Sequence, residues 1–143
     1  MDKNVVLVSH GRLAAGVADA VQMVFGASAG LKAYGLAPDG NVVELIAGLR
    51  DEAAAHVDVQ YVVLADIYGG SVCNQCLQQL AELPNVKLVA GLSMALALGV
   101  LAVPGALDEA QLAQVIADAR EGVREVAFVH ADDPVDDGAD DFF

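Results

Sequence analysis

His10, Asp66 and the run Gly69-Gly70-Ser71 are the residues of this sequence whose types and setting could do chemistry together. Neutral imidazole is a good nucleophile near pH 7, because its unperturbed pKa is about 6.5. One ring nitrogen attacks while the other carries the proton. A carboxylate beside that proton fixes the tautomer, as the third group does in nucleophilic triads. Asp66 suits that role. Phosphohistidine is a high-energy phosphoramidate, fit for passing its group onward. A carried phosphoryl group is an anion and needs donors. Gly69, Gly70 and Ser71 at a helix start would offer backbone N–H groups and a hydroxyl, and Gly11 would do the same at an earlier helix. Glycine also lets the backbone approach closely, with no Cβ in the way. Taken singly, each piece has an ordinary reading: a loop histidine, a helix-capping aspartate, a Gly-Gly-Ser turn.

The elements that must position these residues alternate along the chain. A β-branched run predicts a strand over Lys3–Ser9. Leu13, Val17, Val21 and Val24 follow on one helical face, and Gly26 stops it. A weaker strand covers Leu31–Leu36, and Pro38-Asp39-Gly40 is a turn. A second helix runs from Val42 to about His56. Val59–Ala65 is an apolar strand broken only by Gln60. A third helix covers about Ser71–Glu82, Val86–Ala90 is a fourth strand, and Leu92–Leu101 is a fourth helix. Asp108 caps a fifth, to Glu121. Val123–His130 reads as a last strand. Strands alternating with helices predict an α/β fold with an open, mostly parallel sheet. In such sheets ligands bind beyond the carboxyl ends of the strands, where the strand order reverses. With the order 2-1-3-4, the first and third strands are neighbours. His10 and Asp66 then face each other across one crevice.

Composition sets outer bounds. One domain is the default for 143 residues. No stretch of about 18 apolar residues runs unbroken, so no membrane span is implied. The amino end starts on a strand pattern without a basic leader, which points to a cytoplasmic address. A net charge of −13 argues against nucleic acid and against an anionic membrane surface. Six aspartates fall among residues 132–141, and residues 131–143 read as a disordered acidic tail after a domain at 1–130.

Two segments also resemble a known family, the mannose-type IIA domains of the sugar phosphotransferase system. Val5-Val6-Leu7-Val8-Ser9-His10-Gly11, with Ala15-Gly16, resembles their opening strand and Ser/Thr-His-Gly. Leu64-Ala65-Asp66-Ile67-Tyr68-Gly69-Gly70-Ser71 resembles their Asp-(Leu/Ile)-(Phe/Tyr)-Gly-Gly-(Ser/Thr), with Asn74, Pro84-Asn85-Val86 and Ala90-Gly91 in step. The resemblance spans roughly residues 1–130. It implies an α/β sandwich with a four-stranded parallel core and an extra edge strand exchanged in a homodimer, a part for Val123–His130. It implies that His10 receives phosphoryl from the histidine-containing phosphocarrier protein and passes it to a IIB domain, which phosphorylates an incoming sugar. Asp66 then orients the histidine and Ser71 lies beside the phosphoryl group. A membrane sugar permease is an indirect partner, and no cofactor is implied. Two segments depart from the family: Ser71-Val72-Cys73-Asn74 stands where Ser-Pro-Phe-Asn is common, and Gly91-Leu92-Ser93-Met94-Ala95 where Gly-x-Asn-x-Pro is common. Both bear on partner identity and substrate.

Other residues invite stronger readings than they carry. Cys73 and Cys76 have redox-motif spacing, but small apolar packing suits a cytosolic chain better, and a metal site would need further ligands. Arg12 follows His-Gly directly, where it is either a phosphate or partner contact or a solvated side chain. A receiver module would need an acidic pair after the first strand and a late lysine; the strand ends in Ser-His-Gly and no lysine follows Lys87. A dinucleotide enzyme would need Gly-x-Gly-x-x-Gly there. A degenerate, regulatory relative of the same fold stays open.

Overall fold

Period-two burial separates the strands of this chain into two faces, and each face recruits its own helices. The computed structural model describes residues 1–132. In order, the elements are β1 (Asp2–His10), α1 (Leu13–Phe25), β2 (Leu31–Leu36), α2 (Val42–Ala55), β3 (Val59–Ala65), α3 (Ser71–Leu80), β4 (Val86–Ala90), α4 (Met94–Ala102) and α5 (Glu109–Glu121). The four strands form one parallel sheet in the order β2-β1-β3-β4, as the sequence predicts. Val5, Leu7, Val62, Leu64 and Val89 face α1, α4 and α5, while Val6, Val8, Tyr61, Val63 and Ala65 face α2 and α3. Burial on both faces is why β1 and β3 read as continuous apolar runs rather than alternating ones. Gln60 interrupts β3 without cost: its amide exchanges two hydrogen bonds with the backbone of Leu107, at 2.9 and 2.8 Å.

The helix starts follow their caps. Asp108 caps α5 in a reciprocal box with Gln111. Asn41 caps α2. Ser93 caps α4 by accepting from the Leu96 N–H at 3.1 Å, so that helix begins at Met94 rather than at the expected Leu92. The third helix ends at Leu80, one turn ahead of Pro84.

The expected strand Val123–His130 does not form. Residues 124–130 carry no regular structure and pair with no strand, although Val126, Phe128 and Val129 are exposed, Phe128 by 87%. A strand exists only through a ladder partner, and β-branched composition alone cannot supply one. The acidic tail expected over 131–143 lies outside the described residues beyond Asp132. Among the described residues, no helix is long and apolar enough to cross a membrane.

Candidate active site

His10 is the last residue of β1, and Asp66 follows the last residue of β3. Val8 pairs with Ala65 across the two central strands. The strand ends therefore deliver the imidazole and the carboxylate to the same crevice, at the carboxyl edge of the sheet.

One carboxylate oxygen holds His10 twice. Asp66 Oδ2 accepts from the His10 backbone N–H at 2.8 Å and lies 2.6 Å from Nδ1. Asp66 Oδ1 accepts from the Ile67 N–H at 2.9 Å. Burial of this side chain, 8% exposed, works against its charge. The hydrogen bonds from the His10 backbone, the His10 ring and the Ile67 backbone outweigh that, and the carboxyl stays below its ordinary range. An ionised Asp66 can only accept, so the proton between them belongs to Nδ1. The lone pair then resides on Nε2, which sits 3.0 Å from the Ser71 hydroxyl. The imidazole is half open to solvent, at 51%. It is a fixed tautomer whose unprotonated nitrogen stands beside a hydroxyl.

The loop after β3 shapes the other wall. Gly69 takes φ +79°, a left-handed conformation that glycine adopts without strain. At Gly70 a Cβ would come within 2.6 Å of the Ile67 side chain and would face His10 Cε1 at 3.7 Å. Asn74 closes the turn by donating to the Gly69 carbonyl at 3.1 Å. Ser71 opens α3, whose first N–H groups have no intrahelical acceptor, and its hydroxyl sets that helix start beside the His10 ring.

Gly11 differs from the expectation. Its N–H donates to the Leu36 carbonyl at 2.8 Å and is not free for a ligand. Gly11 serves through its turn, at φ +54°. Two further supports went unread in the sequence. The buried Ser9 hydroxyl accepts from the Ala14 N–H at 2.8 Å and pins the start of α1. Gly35 lies so close beneath this loop that a Cβ there would stand 2.1 Å from the Gly11 carbonyl oxygen. Gly35→Ala should therefore destabilise the protein by roughly 1–3 kcal/mol or more, the usual cost of overpacking, as read by urea unfolding. Only a stability equal to wild type would show that the loop yields freely.

Cys73 and Cys76 are free and buried against the α2–α3 face of the sheet. Burial first, and then the neighbouring Cys73 and Asp66, push the Cys76 thiol up to about 12. Its thiolate is scarce at neutral pH. Iodoacetamide at pH 7.5 should leave Cys76 unmodified in the folded protein and label it once denatured; rapid native labelling, read by peptide mass, would contradict this. His56 lies on the surface at the end of α2, with Nδ1 at 2.8 Å from the Glu52 carbonyl.

The chain is thus a doubly wound α/β protein with an oriented histidine at the carboxyl edge of its sheet, and comparison with known proteins gives its family. The sequence family described as the PTS system fructose IIA component matches residues 4–127. The sorbose-specific EIIA component of Klebsiella pneumoniae is 30% identical over 93 residues, covering 65% of this chain and 68% of that protein. The mannose/sorbose-specific IIA subunit from Enterococcus faecalis superposes with a TM-score of 0.74 at 25% identity, covering 91% of this chain and 98% of that one. The IIA protein associated with the fucose utilization operon of Streptococcus pneumoniae has the same fold, with a TM-score of 0.72 at 22% identity over 87% of this chain and 93% of that one. The chain belongs to the mannose-type family of phosphotransferase-system IIA components.

Proposed function

We propose that this chain is a cytoplasmic phosphoryl carrier of a phosphoenolpyruvate-dependent sugar phosphotransferase system, with His10 as the acceptor. The observation that carries the reading is the imidazole held at both nitrogens, by Asp66 at 2.6 Å and Ser71 at 3.0 Å. The histidine-containing phosphocarrier protein donates, and a IIB domain receives. The Nε2 lone pair attacks phosphorus as the donor's N–P bond breaks, and that bond's electron pair stays with the donor. The Nδ1 proton stays on the ring, hydrogen-bonded to the ionised Asp66, which stabilises the charge that builds on the imidazole. The Ser71 hydroxyl turns to donate to a phosphoryl oxygen, joined by the N–H groups at Gly69 and the start of α3. The Gly70 N–H, expected as a donor, is held by the Ile67 carbonyl at 3.2 Å, and Gly70 serves by its missing Cβ beside His10. Gly11 holds the turn beside them.

The carrier works as a homodimer in this reading. β4 is an outer strand, and beside it runs a cavity of about 560 Å³ lined in part by Leu88, Val89, Ala90, Ile116 and Tyr68. The segment Val123–His130 of a second copy, with its exposed Val126, Phe128 and Val129, would add a strand to the sheet there and cover those side chains.

Incubation with phosphoenolpyruvate and the two general phosphotransferase proteins tests the carrier role. Intact mass should rise by one phosphoryl group, and acid should remove it. No added mass would favour a regulatory relative that has kept the fold.

A further inference from the structure

We propose that Arg12 grips the phosphoryl group on His10 and supplies the positive charge that the rest of this acidic chain withholds. The inference rests on the phosphoryl-carrier reading of the same site. A phosphoryl group adds between one and two negative charges at neutral pH, by analogy with other phosphorylated side chains. It arrives on a chain with 20 acidic residues and 7 lysines and arginines. The donor already beside Nε2, the Ser71 hydroxyl at the first residue of α3, carries no full charge.

Most of the cations are committed elsewhere. The Lys3 ammonium donates to the Val100 and Val103 carbonyls at the end of α4. Lys32 pairs with Glu52, Arg50 with Asp51, and Arg124 with Glu121. Lys87 lies in the amino-terminal half of β4, away from the carboxyl edge. Arg120, on α5, lines the cavity beside β4 together with Tyr68 and Gly69. Arg12 alone stands on the loop that carries His10. It is exposed and, among the described residues, its side chain makes no hydrogen bond or ion pair.

Its backbone, in contrast, is held. Gly11 is tied to Leu36 at 2.8 Å and packed on Gly35. The Arg12 carbonyl accepts from the Gly16 N–H at 2.9 Å as α1 begins, and Ser9 fixes Ala14 one turn away. Two residues of chain span at most about 7 Å, a gap that the three methylenes and guanidinium of arginine can bridge. An anchored Cα with an unspent planar fork is what a tetrahedral oxyanion group recognises. Arg12 moves no proton; it neutralises charge on the oxygens while the N–P bond forms.

The test compares wild type, Arg12→Gln and Arg12→Lys with two donors: the phosphocarrier protein and phosphoramidate, a small donor with no docking surface. The rate of uptake on His10 should fall about 10- to 100-fold in Arg12→Gln with both donors, less than loss of a buried oxyanion donor gives because Arg12 is exposed. Arg12→Lys should recover part of it. Equal rates for wild type and Arg12→Gln would overturn the inference and leave the carrier reading standing. A loss seen only with the protein donor would overturn it too, making Arg12 a docking residue. A wild type that takes up no phosphoryl from either donor would remove the carrier reading and this inference together.

Discussion

His10→Ala stays at its unmodified mass when incubated with phosphoenolpyruvate and the general phosphotransferase proteins, under conditions that modify wild type fully. The expected loss is complete because no neighbouring group can replace the imidazole. The Ser71 hydroxyl has no base beside it once the ring is gone, and an Asp66 carboxylate below its ordinary range is a poor nucleophile. The variant should fold. The ring is half exposed at a strand end and belongs to neither core cluster. Asp66 keeps two backbone donors, the N–H groups of residues 10 and 67. Stability within about 1 kcal/mol of wild type is expected, as for surface substitutions. Full uptake by the variant would move the acceptor elsewhere. An acid-stable, base-labile phosphate on Asp66 would revive the receiver alternative.

Asp66→Ala should slow phosphoryl uptake by about 10- to 1000-fold while leaving His10 as the acceptor. The cause is loss of tautomer control: without the carboxylate the Nδ1 proton is no longer held, and the attacking nitrogen no longer keeps its lone pair facing outward. An unchanged rate would remove Asp66 from the mechanism. A companion pH experiment uses the milder Asp66→Asn. The folded carboxyl lies below its unfolded value of about 3.9. The unfolded chain therefore binds the proton more readily, so this group's stabilisation is fully present above pH 4. It fades as pH falls through the folded value. The stability gap between wild type and Asp66→Asn, read by urea unfolding, should be level from pH 7 to pH 5 and shrink below pH 4. A gap that instead grew on acidification would mean a raised carboxyl.

Much of this architecture could be read from the residues because local and global preferences agree. Val59–Ala65 announces a strand buried on both faces, and the sheet buries it so. Asp108 announces a helix start, and α5 begins one residue later. The crevice followed from topology: strands one and three adjacent, His10 and Asp66 at their ends. What escaped depends on contacts distant in sequence. Gly35 looks like an ordinary weak point in a strand until the Gly11 carbonyl is seen above it. Ser9 looks like motif filler until its hydroxyl is found on the Ala14 N–H. Gly11 was expected to offer its N–H, but a parallel neighbour, Leu36, takes it. Val123–His130 has the composition of a strand, and a single chain offers it no ladder.

Asp66 Oδ2 receives both the main-chain N–H and the ring nitrogen of the same residue. The imidazole is thus hung from a point that β1 and β3 jointly fix, and its torsional wandering ends when the sheet assembles rather than when a donor arrives. The entropy of aiming the nucleophile is settled in folding. Under the proposed carrier role, a partner that meets this surface would have only itself to orient, a useful property if one atom is to accept from one protein and give to another.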